Sequence, residues 1–174
     1  MVLSLLKVLK VLLLIKDDKS KSWPAFLQNK VNIPVINAGV GGNTTAQGLA
    51  RMKKDVLSKN PIIVIIELGG NDYLQKVPLA TTKKNLQKII DMVNDGNRKI
   101  YLTAFFPVWN KQIEDMFNTL ASSNNIELMN TFYDDGVWEH TTDGVHPNAK
   151  GQEIVADNYF NVLKPYLEAN NLLK

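Results

Sequence analysis

The sequence predicts an α/β domain in which helices cover both faces of a parallel β-sheet. Apolar segments of strand length alternate with segments whose apolar residues recur at helical spacing, which is typical of βαβ units. Residues 62–68 (IIVIIEL) form an almost unbroken run of aliphatic, mostly β-branched residues. Such a run favours a strand covered on both faces. With 174 residues, 45% of them hydrophobic, we expect a single domain over residues 1–174 with a sizeable core.

The apolar pattern predicts five strands. They are residues 11–15, 33–37, 62–68, 100–106 and 126–129.

The start of the chain fits two interpretations. Residues 1–15 could form an amphipathic helix with Ser4, Lys7 and Lys10 on one face, or could contain the buried strand at 11–15.

Helices are predicted between the strands and after the last one. Their apolar stripes are Trp23/Phe26/Leu27, Leu49/Met52/Val56, Leu86/Ile89/Ile90/Val93, Ile113/Met116/Phe117/Leu120 and Ile154/Val155/Tyr159/Val162. Ser22 and Pro24 mark the start of the first helix. On the second helix, Arg51 and the charged residues 53–55 are expected to face water.

Composition excludes several classes of function. The 20 basic and 17 acidic residues give a net charge of only +3 without a dense basic run, so we expect no nucleic-acid partner. The absence of cysteine excludes disulfides and thiolate-metal sites, and two histidines without helical pairing make a zinc site unexpected. Residues 11–15 are too short for a signal-peptide core or a membrane span, so neither is expected, and the compartment is left open.

Three polar or glycine-rich loops each follow a predicted strand. They are residues 39–43, 69–72 and the loop containing 143–148. In parallel α/β sheets, ligands bind outside the carboxyl ends of the strands. We therefore expect the three loops to converge on one site.

The last of these loops holds a candidate charge-supported base. Gly144 and Pro147 favour a tight turn, so the carboxylate of Asp143 can fold back onto the imidazole of His146. Asp143 would then hold one tautomer of the ring and stabilise the imidazolium that forms when His146 takes a proton from a nucleophile. The alternative is a turn that caps the next helix. His140 lacks an acidic residue at this spacing and is interpreted as a loop residue.

Taken together, three segments resemble blocks of the GDSL, or SGNH, hydrolase family. NAGVGGNTTAQGLARM (37–52), ELGGNDYL (67–74) and DGVHPNAKG (143–151) are similar to its second, third and fifth blocks, closest to the bacterial thioesterase, lysophospholipase and arylesterase type. The resemblance implies a flavodoxin-like three-layer α/β/α fold with a sheet of about five strands. It also implies a serine esterase or lipase-type hydrolase of small-molecule acyl esters or thioesters, with no metal or cofactor. Such proteins are often periplasmic or secreted.

The resemblance also assigns roles to four positions. Asp143 and His146 match the acid and base of a Ser-His-Asp triad, and Gly42 and Asn71 match the two oxyanion-hole donors. A glycine lets the backbone N–H approach the substrate closely. An uncharged amide donates to the developing oxyanion without titrating.

The first block of the family is missing, because no Gly-Asp-Ser occurs in the chain. The resemblance places the nucleophilic serine directly after the first strand. Counting back from Trp23 leads to Lys10, whereas the end of the strand at 11–15 leads to residues 16–18, which end at Asp18. Neither place holds a serine. The nearest serines, Ser4, Ser20 and Ser22, each fit poorly, so residues 1–22 are atypical.

Two explanations account for this departure. In the first, the N-terminal residues are a truncated or out-of-frame reading of a hydrolase gene. In the second, the chain is a pseudoenzyme that binds acyl groups or lipids without catalysis. Phe106, Trp109 and Trp138 could line an acyl pocket or belong to the core.

Overall fold

A parallel sheet of five strands forms the centre of the protein in a computed structural model that describes residues 9–12, 19–104, 110–130 and 134–174. The strands are β1 (Leu9–Leu12), β2 (Val35–Asn37), β3 (Ile63–Ile66), β4 (Lys99–Thr103) and β5 (Glu127–Met129). Their order is β2-β1-β3-β4-β5, and all pairings are parallel. This is the flavodoxin-like order, so the predicted fold class is confirmed.

In the described ranges, six helices accompany the sheet. They are α1 (Trp23–Gln28), α2 (Thr45–Asp55), α3 (Gly70–Leu74), α4 (Leu79–Val93), α5 (Lys111–Ser123) and α6 (Ala149–Ala169). Short 3-10 turns lie at Lys19–Lys21, Leu57–Lys59 and Val137–His140. The five predicted helices are confirmed. The short helix α3 was not predicted, because residues 69–72 were expected to form a loop. Among the described residues, no helix is both long and apolar enough to span a membrane.

All five predicted strands differ from the observed ones at one or both ends. Those predicted at 33–37, 62–68 and 126–129 are shorter, at Val35–Asn37, Ile63–Ile66 and Glu127–Met129. The first strand begins earlier than residues 11–15, at Leu9, and residues 13–15 lie outside the described part of the chain. Because residues 9–12 form a strand, the alternative prediction of a helix over residues 1–15 is wrong at these four residues. The fourth strand ends at Thr103, and residues 105–106 also lie outside the described ranges.

The side chains of β3 alternate between two apolar cores. Ile63 and Ile65 pack with α1 and α6, whereas Val64 and Ile66 pack with α2, α4 and α5. All four side chains are fully buried. The prediction that this strand is covered on both faces is therefore confirmed, and the loops at its carboxyl end lie between two helical layers.

Candidate active site

The turn that carries Asp143 and His146 is closed by its own hydrogen bonds. The N–H of Thr142 donates to the carbonyl of His146 at 2.8 Å. Oδ1 of Asp143 accepts the N–H groups of Val145 at 3.1 Å and His146 at 2.7 Å, and its Oδ2 lies 2.7 Å from Nδ1 of His146. The carboxylate thus folds back onto the imidazole, which is the arrangement that the sequence predicted.

These hydrogen bonds determine the protonation of the pair. The His146 backbone N–H, then its ring and the Val145 N–H, lower the pKa of Asp143 to about 2. An ionised carboxylate only accepts hydrogen bonds, so Nδ1 of His146 carries the hydrogen, and in the neutral imidazole Nε2 has the lone pair. The His146 side chain is 62% exposed. An accessible imidazole in this tautomer is suited to act as a general base.

We expect the Asp143 carboxyl to titrate near pH 2. Because its folded pKa is lowered, its contribution to stability is present above its ordinary pKa of 3.8 and is lost as the pH falls towards 2. The carboxyl ¹³C shift of labelled protein measures the midpoint. In a His146→Ala variant the midpoint should rise, because the ring bond is lost. A wild-type midpoint near 4 would contradict the geometry of the turn.

Gly42 and Asn71 come from loops that contact each other. Gly42 follows β2 and has a φ of +82°, a left-handed conformation that favours glycine. Asn71 lies at the start of α3, and its Nδ2 donates to the carbonyl of Asn43 at 3.0 Å. An amide nitrogen carries two hydrogens, so this bond leaves one for a ligand oxygen. The two predicted oxyanion donors are thereby held near each other.

Asp72 is buried and bonds to residues of two neighbouring helices, a role that the sequence did not predict. It is 1% exposed, and its carboxylate accepts the backbone N–H of Thr45 at 2.7 Å and the hydroxyls of Thr45 at 2.5 Å and Thr82 at 3.2 Å. These bonds join α3 to the starts of α2 and α4. The available signal was an acidic residue beside Asn71, followed by threonines at helix starts.

The prediction that Arg51 faces water is wrong. Its side chain is only 17% exposed, and it donates to the carbonyl of Ala38 and to Oδ1 of Asn43. It also pairs with Asp55 at 3.2 Å. The loop after β2 folds back over α2, which helical periodicity alone does not show. Arg51 therefore braces the loop that contains Gly42.

The two halves of the site are linked to different parts of the sheet. Gly42 and Asn71 follow β2 and β3, the two strands that flank β1, through short loops. His146 precedes α6, and Gln152 in the first turn of α6 accepts the backbone N–H of Trp23 at 2.9 Å. The convergence of all three loops on one substrate atom stays a prediction.

The pairing of β1 with β3 tests the two counts that located the expected nucleophile. Leu12, the last residue of β1, pairs with Ile66 at the end of β3. Lys10 pairs with Val64 inside the strand, so the count that led to Lys10 leads to the wrong place. The other count leads to residues 16–18, and these, including Asp18, lie outside the described residues.

The three candidate serines differ in their surroundings. Ser20 is exposed in the turn between β1 and α1, whereas Ser22 is 1% exposed at the start of α1. Ser4 lies outside the described residues. In the described part of the chain, the hydrogen-bonding partner of the His146 ring is Asp143, not a serine hydroxyl.

A cavity of about 230 Å³ opens beside the Asn71 loop. Its lining is mostly apolar, with Val77, Leu79, Met116 and Phe117 among the residues, and polar or charged side chains stand at positions 76, 82, 110 and 112. A cavity of this kind fits an apolar chain.

The aromatic residues predicted to line an acyl pocket do not line this cavity where they are described. Trp138 is 41% exposed and lies elsewhere, and Phe106 and Trp109 are outside the described ranges.

The backbone of His140 takes part in the structure of the loop before α6. Its carbonyl accepts the N–H of Asn148 at 2.8 Å, which closes the base of the loop before α6. Gly151 packs so closely against this carbonyl that a Cβ there would lie 2.4 Å from it. Within the described ranges, no three His, Asp or Glu residues come together as a metal site.

Comparison with known proteins identifies the family of the chain. The profile of the GDSL-like Lipase/Acylhydrolase family matches residues 15–154. The chain is 31% identical over 151 residues to an arylesterase of Vibrio mimicus, covering 79% of this chain and 76% of the relative. It is 30% identical over 158 residues to thioesterase 1/protease 1/lysophospholipase L1 of Escherichia coli, covering 84% and 76%.

A solved structure extends the comparison to the fold. The crystal structure of TesA matches with a TM-score of 0.80 and 28% identity, covering 91% of this chain and 99% of that one. Sequence, fold and the order of the motifs thus lead to the same group of proteins, and the chain belongs to the GDSL-like lipase/acylhydrolase family.

Proposed function

We propose that the site hydrolyses small-molecule acyl esters or thioesters. The observation that carries this proposal is the 2.7 Å contact between Asp143 and His146, because it leaves Nε2 of an exposed imidazole able to accept a proton. The family's relatives, named as an arylesterase and a thioesterase, support the same substrate class.

In this proposal, His146 moves one proton in two directions. Its Nε2 takes the proton of an attacking hydroxyl, whose oxygen bonds to the acyl carbon. The imidazolium, stabilised by Asp143, then returns the proton to the departing alcohol or thiol as the acyl bond breaks, which leaves the acyl group on the attacking oxygen. A water molecule then attacks the same carbonyl carbon with His146 again as base, and the carboxylic acid leaves as the proton returns to the hydroxyl. The N–H of Gly42 and the second amide hydrogen of Asn71 hold the oxyanion between these steps.

The surroundings of the site suit an acyl chain. Among the described residues, the large apolar side chains that are exposed all lie on the three predicted loops or next to them: Val40, Tyr73, Leu74, Trp138 and Val145. The apolar cavity beside Gly69 adds a place for the chain itself.

One observation favours a second function. Residues 13–18 (LLIKDD) follow β1 and contain no serine, threonine or cysteine. If no other hydroxyl serves, the site would bind acyl groups or lysolipids without cleaving them, as a pseudoenzyme does.

Two measurements separate these functions. Hydrolysis of p-nitrophenyl butyrate, together with labelling by a fluorophosphonate and peptide mapping, would establish the esterase and locate its nucleophile. Ser20→Ala tests the exposed serine, and Ser22→Ala is the buried comparison. Saturable binding of a fatty acid without turnover or labelling would instead establish the binding protein.

A further inference from the structure

Glu67 is a buried carboxyl that the proposed chemistry does not use. It directly follows β3 and is only 2% exposed. Side chains alternate along a strand, so Glu67 continues the row of Ile63 and Ile65 on the side of α1 and α6. A buried acid at this place needs a reason, because burying a polar group without partners is costly.

Its neighbours are two aromatic side chains from different helices. The hydroxyl of Tyr159 on α6 donates to Oε2 of Glu67 at 3.5 Å. The indole of Trp23, at the start of α1, lowers the pKa of the carboxyl. Its Nε1 is buried and makes no hydrogen bond of ordinary geometry. The two rings pack edge to face with centroids 4.8 Å apart, and both are fully buried. In the described part of the chain, no positively charged side chain contributes to the pKa of Glu67.

This cluster connects the segments that carry the site. Glu67 lies in the short loop between β3 and α3, the helix that begins with Gly70 and Asn71. Trp23 donates its backbone N–H to Gln152 at 2.9 Å, in the first turn of the helix that begins after His146. The carboxyl therefore lies where the loop of one proposed oxyanion donor meets the helix behind the proposed base.

Resting on the proposed function, we propose that Glu67 is a positioning residue: its carboxyl, held between Trp23 and Tyr159, fixes α6 and thereby His146 relative to the Asn71 loop. The carboxyl touches neither substrate nor reacting atoms. It acts through the two aromatic side chains. A carboxyl of this shape fits between the two rings, and it can stay buried there because it is neutral.

The protonation of Glu67 gives this role a pH dependence. Burial raises the pKa of Glu67 from 4.5 to about 8, against the smaller effects of Trp23 and Tyr159, so the carboxyl is neutral at pH 7. The folded protein then binds a proton that the unfolded chain has released. Stability is therefore expected to fall as the pH rises from 4.5 to about 8 and to level off above that.

Two substitutions test the proposal. In Glu67→Gln, which keeps the shape and stays neutral, kcat for p-nitrophenyl butyrate at pH 7 should remain within about threefold of wild type. In wild type, kcat should decline with a midpoint near pH 8 as Glu67 ionises, and in Glu67→Gln this decline should be absent. In Glu67→Leu, which removes the hydrogen-bonding groups, kcat should fall at least about tenfold while KM changes less than about twofold. Glu127→Gln, on the exposed edge strand, is the matched control and should leave kcat unchanged.

A second readout does not depend on turnover. In Glu67→Leu, the NMR signals of the His146 ring and the Asn71 amide should shift, and in Glu127→Gln they should not. The thermal midpoint of wild type should fall between about pH 5.5 and about pH 8.5 more than that of Glu67→Gln.

The outcomes separate the two proposals. Unchanged kcat and unchanged signals in Glu67→Leu would overturn the positioning role, as would an alkaline decline that persists in Glu67→Gln. If wild type shows no turnover at all, the shifted signals alone still support the role while the hydrolase proposal fails.

Discussion

Replacing His146 with alanine should lower kcat for p-nitrophenyl butyrate by on the order of a thousandfold, because the methyl group cannot take a proton from the nucleophile or return it to the leaving group. KM should change little, since the ring makes no contact with the acyl chain in the proposed mechanism. The 62% exposure of the side chain means that its loss removes little packing. Steady-state kinetics at pH 7.5 and a thermal melt measure the two effects separately.

His140→Ala is the matched control for this variant. His140 is the other histidine of the chain, lies in the adjacent 3-10 turn, and contributes its carbonyl rather than its ring to the structure. Its replacement should leave kcat within about threefold of wild type. Equal losses in both variants would mean that the effect comes from disturbance of the loop, and a His146→Ala enzyme with wild-type kcat would end the assignment of the base.

Replacing Asn71 with alanine should lower kcat about a hundredfold or more, which corresponds to about 3 kcal/mol of barrier. In the proposed mechanism the amide stabilises the oxyanion far more than the neutral carbonyl of the substrate, so the loss should appear in kcat with KM nearly constant. The substitution also removes the 3.0 Å bond to the carbonyl of Asn43. Stability should therefore fall by about 1 kcal/mol as well.

The loss of that bond requires its own control. Asn32 makes the same type of bond, from its Nδ2 to the carbonyl of Asn171 at 3.2 Å, between two exposed segments. Asn32→Ala should lower stability by no more than Asn71→Ala does, and it should leave kcat unchanged. If Asn71→Ala raised KM and left kcat intact, the amide would be binding the substrate rather than the oxyanion.

Much of the fold could be predicted because its signals are local. Residues 62–68 are aliphatic almost throughout, which predicts a strand covered on both faces. The helices between the strands are likewise visible in the local apolar spacing, and their alternation with strands predicts a parallel sheet. The contact of Asp143 with His146 was predictable for the same reason, since both residues lie in one short turn. The roles of Gly42 and Asn71 depend on the three-loop resemblance and stay predictions.

The errors concern contacts between residues far apart in sequence. Arg51 has the spacing of a solvent-facing residue on α2, but the loop after β2 folds onto it. Glu67 appears as one polar residue at the end of a strand, and its burial depends on aromatic side chains from α1 and α6. No periodicity carries that information. The start of β1 was predicted two residues late, at residue 11 rather than Leu9, because residues 1–15 are apolar enough to fit several registers.

The central position of β1 has a consequence for how the chain assembles. β1 pairs with β2 on one side and β3 on the other, and in the described structure β2 has no second neighbour. During synthesis the first strand must therefore wait for a partner that emerges much later, and its apolar surface is available to chaperones in the meantime. A deletion that reaches Leu9 would detach β2 from the sheet and, with it, the loop that carries Gly42.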